Sequence, residues 1–77
     1  MQPTDIIVHG VRLSASAVEV AEGVGGASKM VAADLAALRE GKHTAESLLA
    51  YCLDGADEAE AEGWREYVEA VVAAVRS

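Results

Sequence analysis

Thr44–Val75, TAESLLAYCLDGADEAEAEGWREYVEAVVAAV, is the stretch whose reading decides the fold. Its apolar residues recur at intervals of three and four, the spacing that buries one face of a helix, and capping residues divide it into two helices. Thr44 can accept a free amide at the first helix start, after which Ala45, Leu48, Leu49, Cys52 and Leu53 follow the i, i+3, i+4, i+7, i+8 pattern of a core-facing stripe. Gly55 closes this helix. Asp57 and Glu60 then have capping-box spacing, which starts a second helix running almost to the C-terminus. Along it Ala61, Trp64, Val68, Val71, Val72 and Val75 form one face, expected to be the main contribution to the core. Gly63 is the weak link of this helix, since an interior glycine costs up to about 1 kcal/mol relative to alanine.

Upstream the same logic predicts two further helices. Ser16 and Glu19 have capping-box spacing, and a helix from there runs to about Val24, where Gly25 and Gly26 stop it. Ser28 can cap the next, with Met30, Val31, Leu35 and Leu38 on one side and Asp34, Arg39 and Glu40 elsewhere, and Gly41 ends it. Asp5–Leu13, DIIVHGVRL, is the one segment rich in β-branched residues, and reads as a short strand or as a small hairpin turning at His9-Gly10. A single strand would need a partner from another copy or from a target. The expectation is a single, mostly α domain over residues 1–77, a bundle of about four short helices (14–77) behind an extended N-terminal segment (1–13). Its core is expected to hold Leu35, Leu38, Leu48, Leu49, Leu53, Trp64, Val68 and Val71.

A chain of 77 residues has a thin core, which points to a homodimer. Cys52 is the only cysteine, so no internal disulfide can form, and its leucine neighbours make it a small buried hydrophobe. Met1–Leu13 carries Asp5, His9 and Arg12 where an export signal would be basic and then apolar, and Ala70–Val75 is far shorter than the roughly 20 residues that span a bilayer. The expected location is the cytoplasm, without membrane attachment.

Chemistry-bearing patterns are missing. His9, His43 and Cys52 have no paired metal-ligand spacing, nothing in the sequence groups a nucleophile with a base, and Gly25-Gly26 lacks the glycine spacing and lysine of a phosphate loop. No catalytic residue, metal or cofactor is expected, and the chain is not read as an enzyme. The charge distribution does inform. Residues 1–53 hold six acids against four bases, a net −2, whereas residues 54–77 hold seven acids against two bases, a net −5. Acids in the first helical turn favour the macrodipole, and Arg65 can pair with Glu62 and Glu69, so part of this has a structural use. The functional reading is an acidic face, Asp57, Glu58, Glu62, Glu66 and Glu69, that engages a basic surface on another protein. The chain would then be an inhibitor, adaptor or anti-repressor, of a nucleic-acid-handling protein by analogy with small acidic phage and mobile-element inhibitors.

A second reading follows from element order. A short strand, two helices and Gly25-Gly26 between them resemble a ribbon-helix-helix dimer, whose paired strands read DNA; a helix-turn-helix reading fits Val20, Ala21, Gly25 and Val31 but puts Asp34 where an apolar residue should pack. That resemblance implies a transcriptional regulator. Six bases against thirteen acids argue against direct nucleic-acid binding.

Overall fold

A computed structural model describes residues 5–77 of the chain. The extended segment is a hairpin: β1 (Ile6–Val8) pairs antiparallel with β2 (Val11–Leu13), in the register Ile6↔Leu13, Ile7↔Arg12, Val8↔Val11. His9 (φ 51°) and Gly10 (φ 82°) are both left-handed, as a two-residue turn matched to strand twist requires. Val11 and Leu13 face inward and are fully buried, while Ile7 and Arg12 occupy the outer face. The strand therefore finds its partner within the chain. Residues 1–4 of the expected extended segment lie outside the described residues.

Four helices follow: α1 (Ala15–Glu22), α2 (Ala27–Arg39), α3 (Ala45–Leu53) and α4 (Glu58–Arg76). The caps of α3 and α4 are those read from sequence. Thr44 accepts from the Ser47 amide and Ser47 Oγ accepts from the Thr44 amide, and Asp57 and Glu60 exchange the same pair of bonds. The cap of α1 is Ser14 rather than Ser16, because β2 delivers the chain directly into the helix and Ser14 Oγ accepts from the Ala17 amide. Glu19 then lies too far along α1 to close a capping box. The helix also stops at Glu22 rather than near Val24. Ser28 does not cap α2 either; Glu22 Oε2 accepts from the Ala27 amide, so the end of α1 caps the start of α2, and Ser28 Oγ hydrogen-bonds with His9 instead.

Four elements pack on α4, α1 most extensively, then α3, β2 and α2, while β1 packs on β2 and α2. The fully buried residues are Val11, Leu13, Ala17, Ala21, Val31, Leu48, Tyr67 and Val71, with Leu35, Trp64 and Val68 nearly so. Leu38, Leu49 and Leu53 of the expected core are half-buried at its edge. At 100° per residue the buried stripe of α4, Gly63, Trp64, Tyr67, Val68 and Val71, is rotated by about 60° from the face expected, leaving Ala61, Val72 and Val75 half-buried. The rotation has a cause in Gly63. A Cβ there would lie 2.8 Å from the Ser16 carbonyl oxygen and 2.9 Å from Val20 Cγ1, so α1 crosses α4 at contact distance with the glycine. Gly63 is a packing requirement and not the weak link that propensity suggests.

Asp34 also departs from expectation. It stands on the core-facing side of α2, 8% exposed, and its Oδ2 accepts from the Tyr67 hydroxyl at 2.5 Å. A carboxylate tolerates this position because a buried phenol supplies its hydrogen bond. The radius of gyration is 11.5 Å, close to the ~11.5 Å expected of a compact 77-residue chain.

Candidate functional site

The acidic residues fall into two environments. At 100° per residue Glu58, Glu62, Glu66 and Glu69 share an arc of about 80° on the side of α4 away from the core. Glu66 is half-buried and accepts from Ser14 Oγ at 2.5 Å, a bond that ties the end of β2 to α4. Glu69 shares a hollow with Asp5, Arg12, Ser14 and Glu66, and another with Arg65 and Arg76. The C-terminal half of the face is thus interleaved with three arginines. Asp57 has its carboxylate engaged at the N-cap. Among the described residues Arg65 makes no ion pair within 4 Å, so the pairing with Glu62 and Glu69 that its spacing allows is not formed; the one such pair is Lys42–Glu40, at 3.3 Å. Glu58 and Glu62 are exposed and make no side-chain hydrogen bond or ion pair among the described residues. With Asp54, Asp57 and Glu60 they concentrate negative charge at the N-terminal end of α4.

That end of the molecule also holds two adjoining hollows of about 360 and 400 Å³, which share Val24, Asp54 and Trp64. One opens between the C-terminus of α1 and the α3–α4 turn, lined by Val20, Ala56 and Ala59; the other reaches Met30, Tyr51 and Cys52. Trp64, 6% exposed, forms the floor common to both, and stands edge-on to Tyr67 with ring centroids 5.5 Å apart. Val24 and Tyr51 stand out at the rim, 61% and 66% exposed. Every charged residue in the two linings is acidic: Glu19, Asp54 and Glu60. Sequence periodicity does not reveal this site because its parts come from four elements. Two signals point toward it: Val24 is an apolar residue set between Gly23 and Gly25, and Tyr51 lies off the Leu48–Cys52 stripe.

Around this floor the core carries three titratable groups, Cys52, Tyr67 and Asp34. Burial, with the negative charge of Asp34 adding to it, pushes the Cys52 thiol up to about 11. Burial also raises Tyr67, reinforced by the hydrogen bond it donates to Asp34. Both therefore stay protonated at neutral pH, which makes the thiol a poor nucleophile and suits the phenol to its donor role. The two histidines are turn and surface residues: His9 bonds with Ser28 Oγ at 3.0 Å, and His43 with Ser47 Oγ at 2.9 Å while its ring lies 5.8 Å from that of Tyr51. No group of three His, Cys, Asp or Glu residues among the described residues is placed to hold a metal ion, and no helix is long and apolar enough to cross a membrane. Comparison with protein families, curated proteins and solved structures finds no match to this chain.

Proposed function

We propose that this protein is a small acidic interaction module of the inhibitor, adaptor or anti-repressor kind, whose partner presents a basic surface to the exposed carboxylates of α4. The observation carrying this reading is the concentration of unpaired carboxylates at the N-terminal end of α4, Glu58 and Glu62 foremost, on a chain of net charge −7. Such a field accelerates encounter with a cationic surface and sets specificity through complementarity. Asp57, Glu66 and Glu69 contribute to the same field, although Asp57 and Glu66 also have structural bonds. A nucleic-acid-handling protein is a natural partner class, since its own binding face is basic.

We further propose that the chain forms a homodimer through the groove between α3 and α4. Leu49, Val68 and Val72 line it, and its rim sets Arg65 and Arg76 beside Glu46 and Glu69, so a second copy meets both signs of charge. Sedimentation of the wild type and of a Leu49→Ser, Val72→Ser variant tests this: the variant is expected to be monomeric, and an unchanged mass would remove the groove from the proposal.

The test of function is capture at low and high salt by the wild type and by a variant with Glu58, Glu62 and Glu69 changed to Lys. These side chains are exposed, so the fold should survive reversal. One basic protein is expected to be held by the wild type at low salt, released at high salt and lost by the variant. Equal retention by both would overturn the acidic-face reading.

A further inference from the structure

The α1 C-terminus and the α3–α4 turn enclose a place where a partner side chain can be buried. We propose that the two hollows over Trp64 form one docking cleft for an apolar anchor residue, a leucine, methionine or aromatic, flanked by Lys or Arg in a segment of the partner protein. This rests on the reading that the partner is basic, and adds where its contact is anchored and by what kind of residue.

Three observations select that occupant. The first is shape: two adjoining hollows of about 360 and 400 Å³, each within the roughly 300–1,000 Å³ range of binding pockets, give room for protruding side chains. The second is lining. Val20, Val24, Met30, Tyr51 and Trp64 offer apolar and aromatic surface, and Val24 and Tyr51 stay largely exposed although the core lies directly beneath. Desolvated aromatic pockets of this sort supply most of the energy in many protein interfaces. The third is charge, which decides between occupants. Glu19, Asp54 and Glu60 are the only charged residues of the linings, so an acidic surface such as the α4 face of a second copy is repelled here, whereas lysines or arginines flanking an anchor meet only carboxylates. The mixed-sign α3–α4 groove lacks this selectivity.

Trp64 is the only tryptophan, so its emission reports directly on the floor of the cleft. The full chain is titrated with a short synthetic peptide carrying a Leu-Leu pair flanked on both sides by lysines, and with two analogues, one with the leucines changed to serine and one with the lysines changed to glutamate. The Leu/Lys peptide is expected to shift Trp64 emission saturably, and each analogue to bind at least tenfold more weakly. A Val24→Ser, Tyr51→Ser variant, altered only at exposed side chains and checked for an unchanged melting curve, is expected to lose tenfold or more. Equal binding of the serine analogue, equal binding by the variant, or no binding of the Leu/Lys peptide would each overturn the cleft. The Glu58→Lys, Glu62→Lys, Glu69→Lys protein separates the two claims. If it alone fails to bind, the acidic face stands and the cleft falls; if it binds as the wild type does while the Val24/Tyr51 variant does not, the cleft stands and the acidic face falls.

Discussion

Replacing Gly63 with alanine sets two effects against each other. In an open helix the change would stabilise by up to about 1 kcal/mol, because glycine gives up more backbone freedom on folding. Here the added methyl would meet the Ser16 carbonyl oxygen at 2.8 Å and Val20 Cγ1 at 2.9 Å. Ordinary van der Waals separation begins near 3.5 Å, so both neighbours must retreat, each by roughly 0.6–0.7 Å. The half-buried Val20 side chain can turn aside, but the Ser16 carbonyl belongs to the backbone of α1, and moving it drags Ala17 and Ala21 from their buried positions. Overpacking of this sort costs roughly 1–3 kcal/mol. Subtracting the full propensity gain leaves a net destabilisation of up to about 2 kcal/mol, equivalent to a fall of up to roughly 15 °C in Tm for a domain of this size. Urea titration and thermal unfolding followed by circular dichroism read both quantities. A Val20→Ala background should recover only part of the loss, since the backbone contact remains. A Gly63→Ala protein with a raised midpoint would refute the close crossing of α1 and α4, and with it the orientation assigned to α4.

Other expectations follow from the polar contacts. Tyr67→Phe leaves the Asp34 carboxylate buried without its donor and should cost about 1–3 kcal/mol, whereas adding Asp34→Leu should restore much of that, as a double-mutant cycle in urea would show. Ser14→Ala removes the α1 cap and the bond to Glu66 and should cost about 1 kcal/mol, while Ser16→Ala should stay within about 0.5 kcal/mol; unfolding midpoints that reversed this order would return the cap to Ser16. Cys52 and Tyr67 are both raised in the folded chain, so their contribution to stability is fully present below the unfolded-state values and is lost as pH rises. For the thiol that window runs from about 9 to about 11, and urea midpoints should decline across it; a Cys52→Ala protein should decline less.

The elements were legible in the sequence where a local rule governs them. Thr44, Asp57 and the His9-Gly10 turn act through hydrogen bonds and dihedral angles among near neighbours, and each stands where local reading places it. Readings failed where a distant element decides. Ser14 outcompetes Ser16 because β2 fixes the entry to α1, and the Asp34 position makes sense only with Tyr67, 33 residues away in sequence. Gly63 carries two opposite meanings, a propensity defect or a close approach, and only the crossing helix chooses between them. The charge asymmetry was readable as composition, but its division into an arginine-interleaved half and an unpaired half depends on where Arg12 of the hairpin comes to lie beside α4. The cleft over Trp64 was hidden for the same reason, since four separate elements build it.

The most direct test of the central claim, that the exposed carboxylates of α4 carry partner binding, is the salt dependence of affinity between the purified chain and the basic protein that it retains. The expected result is a Kd that weakens steeply with ionic strength for the wild type, and weak binding with a nearly flat dependence once Glu58, Glu62 and Glu69 are changed to Lys. A wild-type affinity indifferent to salt and unchanged by the reversal would contradict it.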